Sequence, residues 1–311
     1  MNRRGFRIIL VLGLAAAAVG LCISLTSSHK EEAVLPDGRV QLRLNEALTN
    51  EISDTSALTG LDTKIQSYMR QWGLHGASLA IMRNDSLVYA KGYGWADEEK
   101  QVKMQPSNIL RVASVSKLLT AAGIMLLQDQ GKLNIKDTVF GPRGILTDTT
   151  YTSVMKDPNY KKITVEDLLR HKGGFTSYGG DPMFSTRTIM QTNHLDTPPD
   201  NIQLMKIMLR RRLRFVPGTS QYYSNFGYLL LSKVIEKVSG QPYEEFMQKN
   251  VLKPAGCYDM HIAENYYEDK RKNEVRYYNG ADTCLVDEFN NSGNMVERCY
   301  GGSDIHSLSG A

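Results

Sequence analysis

Cysteine, histidine and tryptophan are scarce, at four, six and two residues in a chain of 311. None of the six histidines stands at a spacing that suggests a metal. The three cysteines beyond the N-terminal segment (Cys257, Cys284 and Cys299) have no paired histidines, which makes a poor zinc site. The sequence thus implies no metal and no other cofactor. Charge of one sign is also lacking. The formal net charge is +4, but Arg3, Arg4 and Arg7 lie in residues 1–28 with no acid among them. The rest is nearly neutral and carries no electrostatic footprint for nucleic acid. The basic run Arg210-Arg211-Arg212 ends an amphipathic helical pattern, where cations suit the helix dipole. Repeats and a collagenous or broadly disordered composition are absent as well. With 41% hydrophobic and 23% charged residues, the chain suits one large globular domain or two small ones.

One long apolar run does exist. Three arginines precede Ile8–Leu25, an uncharged stretch of 18 residues. It is long for a cleaved signal peptide and just long enough to span a bilayer. Residues 1–28 therefore read as a signal peptide or an uncleaved membrane anchor. Cys22 follows Leu21 rather than a small residue, which disfavours lipidation. Either reading exports the body, leaving it periplasmic or held at the membrane by its N-terminal segment. Residues 29–56, polar and mixed, read as a linker, and 57–311 as the folded domain. Outside the cytoplasm cysteines pair. Cys284 and Cys299 flank a stretch rich in Asn and Gly and are the candidate disulfide, with Cys257 left over as a small buried residue.

Periodicity divides the body. Leu61–Trp72 predicts a helix with Ile65, Met69 and Trp72 on one face. Ala77–Met82 and Leu87–Tyr93 predict a β-hairpin about Asn84-Asp85, with Gly92 and Gly94 breaking the pattern after it. Ser114–Gln130 is the strongest helix, ended by Gly131. Leu118, Ala122, Met125 and Leu126 recur along it, and it is hydrophobic on most sides, so a buried central position is expected. Further helices are predicted at Thr164–Arg170, with Thr164 as N-cap and Asp167 three residues on, at Ile202–Leu213, at Phe226–Val238 and after Pro242. From His261 onward the chain is mainly polar and offers no strand or helix.

Two short motifs carry chemistry. Ser114-Val115-Ser116-Lys117 places a serine and a lysine on one helical face. Serine needs a base to become a nucleophile, and burial or a cationic neighbour can turn lysine into one. Ser-x-x-Lys marks β-lactamases and penicillin-binding proteins. Tyr223-Ser224-Asn225 opens the Phe226–Val238 helix just after Pro217-Gly218-Thr219. A tyrosine near cations can act as a base, and an asparagine amide can bond a substrate carbonyl. Each motif alone also fits a helix cap or a core tyrosine.

Taken together, residues 76–133, 164–177 and 215–260 resemble the penicillin-recognising serine hydrolases, in their class C β-lactamase, D-alanyl-D-alanine carboxypeptidase and esterase branch. The resemblance runs through Gly92-Tyr93-Gly94, Arg111–Ala121, Leu168–Gly174, Pro217-Gly218-Thr219, Tyr223-Ser224-Asn225 and Leu252–Gly256. It implies an α+β fold of the β-lactamase/transpeptidase type: an antiparallel sheet flanked by helices, with a mostly helical lobe and the site between them. It implies Ser114 as nucleophile, Lys117 as its activating partner, Tyr223 as general base and leaving-group acid, and Asn225 as substrate contact. His171 falls in a structural turn with Gly173 and Gly174. The family's third motif, Lys-Thr-Gly or His-x-Gly, lies on a strand that also lends a backbone N–H to the oxyanion hole. Neither pattern follows Asn225. The expectation is accordingly a chain lacking the C-terminal strands of the sheet, with little or no activity. The expected function is a serine hydrolase that forms a Ser114 acyl-enzyme with an amide, ester or β-lactam carbonyl of a small molecule or peptide. The rival is a non-catalytic binding protein or an inactive remnant that keeps the front of the fold.

Overall fold

The computed structural model describes residues 33–34, 40–41, 48–53, 58–84, 86–175, 181–263 and 270–278. Cys284, Cys299 and the apolar run Ile8–Leu25 lie outside them. Among the described residues no helix is long and apolar enough to cross a membrane, and no group of three acidic, His or Cys side chains is placed to hold a metal. The chain divides into two compact units, Met1–Glu46 and Ala47–Ala311. The first contains a two-stranded antiparallel pair, β1 (Ala33–Val34) and β2 (Val40–Gln41), with Ala33 opposite Gln41.

The second unit holds the body. Its sheet has the order β3 (Gly76–Arg83), β4 (Ser86–Asp97), β5 (Val102–Lys103), all antiparallel. The predicted hairpin is present, and Asn84 turns it at φ 48°, a left-handed conformation that asparagine tolerates. Gly92 and Gly94 do not end the strand; β4 runs through both. They are glycines because other chain passes close by. A Cβ at Gly92 would lie 2.6 Å from the Met104 carbonyl carbon, and one at Gly94 2.2 Å from the His75 oxygen.

The stretch read as a linker is docked at its C-terminal end. Residues Asn50–Ser53 form a 3-10 turn against β4. Asn50 Oδ1 accepts from Gly92 N–H at 2.8 Å and Ser53 Oγ accepts from Ala90 N–H at 3.1 Å. These bonds occupy groups of β4 that β3 does not satisfy. Helix α1 (Thr59–Trp72) covers the same strand. Its Asp62 accepts from Tyr89 Oη at 2.7 Å, Tyr93 Oη at 2.8 Å and Lys91 Nζ at 2.9 Å. Residues 89, 91 and 93 share one face of the strand because side chains alternate.

Among the described residues the remaining helices are α2 (Ser116–Asp129), α3 (Thr149–Thr152), α4 (Val165–Leu169), α5 (Thr186–Asn193), α6 (Asn201–Leu209), α7 (Asn225–Ser239) and α8 (Tyr243–Met247). They enclose one core in which Ile124, Leu127, Phe140, Tyr160, Leu168, Phe226 and Phe246 are almost fully buried. Gly123 lets α2 approach its neighbours; a Cβ there would meet Met247 Sδ at 2.8 Å and Ile235 Cδ1 at 3.2 Å. The expected N-cap at Thr164 is formed as a capping box with Asp167.

Two expectations need correction. Helix α2 starts at Ser116, and Ser114 sits in a preceding 3-10 turn, Ala113–Val115. The buried face of α2 is Ser116, Lys117, Thr120, Gly123, Ile124 and Leu127, whereas Leu118, Ala122 and Met125 face outward. An apolar helix gives its pattern too little contrast to say which side is inward. The segment after His261 is also less loose than its composition suggests. Ile109 and Glu274 form a parallel bridge, Arg276 N–H donates to Ala96 O at 2.7 Å, and Val275 is buried with Ala96 and Met104.

Candidate active site

The turn before α2 meets the N-terminus of α7, and four side chains singled out from sequence converge there. Ala113 holds φ at 44°, a left-handed conformation that costs an alanine about 1–3 kcal/mol. The strained residue immediately precedes Ser114, whose side chain is exposed. Strain of this kind persists only where surrounding structure enforces it. Here Val115 N–H donates to Val112 O at 3.0 Å, closing the turn.

Ser114 Oγ and Tyr223 Oη are 2.6 Å apart, in hydrogen-bond contact. Lys117 Nζ donates to Ser114 Oγ at 3.3 Å and to Asn225 Oδ1 at 2.6 Å. Lys117 and Asn225 are only 6% and 5% exposed, while Tyr223 is 49% exposed. The site thus has an open surface, made by the serine and tyrosine hydroxyls, over a buried floor made by the amine and the amide. Nζ also lies 5.0 Å from the Tyr223 ring centroid and 5.5 Å from that of Tyr228. Both distances are within the range where a cation is attracted to a ring face.

Local structure explains why residues 223–225 sit where they do. Ser224 caps α7: its backbone is extended and its Oγ accepts from Gly227 N–H at 3.1 Å. Asparagine 225 is therefore the first helical residue, not the cap. The preceding turn is tied to the segment after α4. Tyr222 N–H donates to His171 O at 2.9 Å and Gly218 N–H to Lys172 O at 3.0 Å. Gly174, at φ 84°, passes so near that a Cβ would stand 2.4 Å from Phe215 O.

Two further residues belong to the site. His171 lies in the expected turn, at φ 57°, but it also touches the machinery. Its Nδ1 accepts from Ser224 N–H at 3.2 Å, and its ring lies 4.5 Å from that of Tyr223 and 5.1 Å from that of Tyr228. Burial, and then the nearby Lys117 charge, hold its pKa below the usual histidine value. Accepting at Nδ1 requires the same neutral form. Asp181 is the residue that sequence reasoning missed. Its Oδ2 accepts from Asn225 Nδ2 at 2.9 Å and from Asn225 N–H at 3.3 Å. An aspartate in a polar stretch 44 residues before Asn225 carries no local signal of that contact.

Comparison with known proteins bears on the family and the fold. A model of the Beta-lactamase family matches residues 61–309. A putative penicillin-binding protein, PbpX, of Bacillus subtilis is 28% identical over 264 residues, covering 82% of this chain and 60% of the relative. Protein flp of Staphylococcus aureus is 26% identical over 210 residues, or 68% of this chain and 39% of the relative. The chain thus spans less than two thirds of the length of both. Among solved structures, the octameric penicillin-binding protein homologue from Pyrococcus abyssi superimposes with a TM-score of 0.58 at 28% identity, over 81% of this chain and 52% of that one. A class C beta-lactamase shares the fold with a TM-score of 0.58 at 21% identity, over 81% of this chain and 59% of that one.

Proposed function

Because the chain belongs to the Beta-lactamase family and has its serine-hydrolase-like fold, we propose that it is an acyl-transferring hydrolase whose nucleophile is Ser114. The observation that carries this reading is the contact of Ser114 Oγ with both Tyr223 Oη and Lys117 Nζ. Serine attacks a carbonyl only when its proton has somewhere to go. In the proposed step Oγ bonds to the carbonyl carbon while its proton passes to the Tyr223–Lys117 pair. Collapse of the tetrahedral intermediate breaks the bond to the leaving group, which takes that proton away. Water repeats the sequence on the acyl-enzyme ester and releases the acid. Lys117, held by Asn225 Oδ1 from below, supports charge that develops on the Tyr223 oxygen.

The substrate class is an amide, ester or β-lactam carbonyl, on a small molecule or a peptide. The β-lactam is the favoured probe, since the relatives at 28% identity are a putative penicillin-binding protein and a penicillin-binding protein homologue. The body acts outside the cytoplasm, delivered by the apolar run Ile8–Leu25. The test is incubation of the purified chain with a labelled penicillin and with an activated ester. A mass increment on Ser114 that Ser114→Ala abolishes supports the reading. No adduct and no ester turnover at any dose favours a non-catalytic binding protein instead.

A further inference from the structure

Asn225 is caught between two groups of opposite hydrogen-bonding character. A lysine amine at its charged state only donates, and a carboxylate only accepts. Lys117 Nζ lies 2.6 Å from Asn225 Oδ1, and Asp181 Oδ2 lies 2.9 Å from Asn225 Nδ2. Turning the amide over would set Nδ2 against the lysine and Oδ1 against the carboxylate, losing both bonds. The orientation of the amide is therefore decided by its neighbours. Asp181 bonds it twice, since the same oxygen also takes the Asn225 backbone N–H at 3.3 Å. Its other oxygen, Oδ1, accepts from Met183 N–H at 2.9 Å, and its carbonyl accepts from Ser185 Oγ at 2.8 Å. These bonds anchor the carboxylate to the turn Pro182–Phe184.

We propose that Asp181 is a positioning residue for the reaction at Ser114: it orients the Asn225 amide so that Oδ1 holds the Lys117 amine within reach of the nucleophile. The inference rests on the proposed acyl-transfer function. It assigns Asn225 Oδ1 to the lysine and leaves one Nδ2 proton for a substrate carbonyl, so the two roles of the amide do not compete. His171 makes the effect of Asp181 specific. It holds the neighbouring Ser224 N–H independently, so removing the carboxylate frees the Asn225 amide while the backbone of 223–224 stays tied.

The test compares full-length Asp181→Ala, Asp181→Asn, Asn225→Ala and the Asp181→Ala/Asn225→Ala double variant with the unchanged chain. Thermal midpoints establish that each is folded. Asp181→Ala is expected to lower the acylation rate constant by ~10–10²-fold with little change in KM, as a displaced catalytic group does. Asp181→Asn keeps an oxygen acceptor and should recover most of the rate. The double variant should be no slower than Asn225→Ala alone, because the carboxylate acts through that amide. An Asp181→Ala protein that acylates at the unchanged rate, or a double variant in which the two losses multiply, overturns the proposal. The Asn225 side-chain amide resonances, assigned by their loss in Asn225→Ala, give a readout that needs no turnover. They should shift in Asp181→Ala, and unshifted resonances overturn the proposal by themselves. Absence of an adduct in the unchanged chain would sink the function while leaving that amide readout to decide the role of Asp181.

Discussion

At the scale of single residues, the site separates groups that meet solvent from groups that hold them. Ser114 and Tyr223 are exposed, and Lys117 and Asn225 lie beneath. A nucleophile and its activator act as a unit. Lys117→Ala should therefore abolish acylation as fully as Ser114→Ala, when adduct formation is followed by intact mass. Tyr223→Phe should slow it by ~10²–10⁴-fold, the usual contribution of general acid–base catalysis. A Lys117→Ala protein that acylates at the original rate would remove the lysine from the mechanism. His171 adds a pH dependence of stability. Its folded-state pKa lies below the ordinary value of 6.5 because of burial and Lys117. The unfolded chain thus takes up a proton near that pH, while the folded protein does so only lower. The stabilisation is complete above about 6.5 and is lost as the pH falls towards the depressed value. His171→Asn, which suits the left-handed backbone, should flatten this acid limb in denaturation midpoints. An unaltered limb would show that another group titrates there.

At the scale of elements, helix α2 tests the difference between pattern and packing. Its sequence is apolar nearly all round, so the repeat of Leu118, Ala122, Met125 and Leu126 does not say which side faces the core. In the fold Leu118 is 69% exposed and Leu127 is fully buried. Leu127→Ala should cost about 2–5 kcal/mol, the usual range for a core leucine. Leu118→Ala should stay within about 0.5 kcal/mol. Urea midpoints decide between the two faces, and equal losses would contradict the observed register. In β4, Gly92→Ala would drive a methyl into the backbone at Met104 and Gln105. Backbone yields less readily than a side-chain tip, so a loss of about 1–3 kcal/mol is expected; a neutral result would mean that the 104–105 segment moves aside.

At the scale of the whole molecule, the N-terminal run and the cysteines make one connected prediction. If residues 1–28 direct export, a chain lacking them should remain in the cytoplasm, and cell fractionation reads this directly. Exported protein should then carry a Cys284–Cys299 disulfide, whose loop would contribute about 3 kcal/mol in the chain-entropy model. Mass mapping without reduction would find both thiols free if the pairing is wrong. Cys257, the free cysteine among the described residues, is partly buried and serves as the internal reference.

The kinds of element and the order of the motifs were legible in the sequence alone, because both depend on local chemistry. The hairpin follows from two apolar runs about Asn84-Asp85 and the capping box from Thr164 and Asp167, while Ser114, Lys117, Tyr223 and Asn225 are singled out through the resemblance to the penicillin-recognising serine hydrolases. Tertiary structure alone decided what depends on residues distant along the chain. It chose which side of the nearly all-apolar α2 is buried, since burial is settled by what packs against a helix. It carried β4 through two glycines, since the Met104 backbone and His75 come too close for any side chain. It brought Asp181 to Asn225 across 44 residues and His171 to Ser224 across 53. Hydrogen bonds of this kind form only when the fold brings donor and acceptor within about 3 Å, and no local pattern along the chain encodes that meeting.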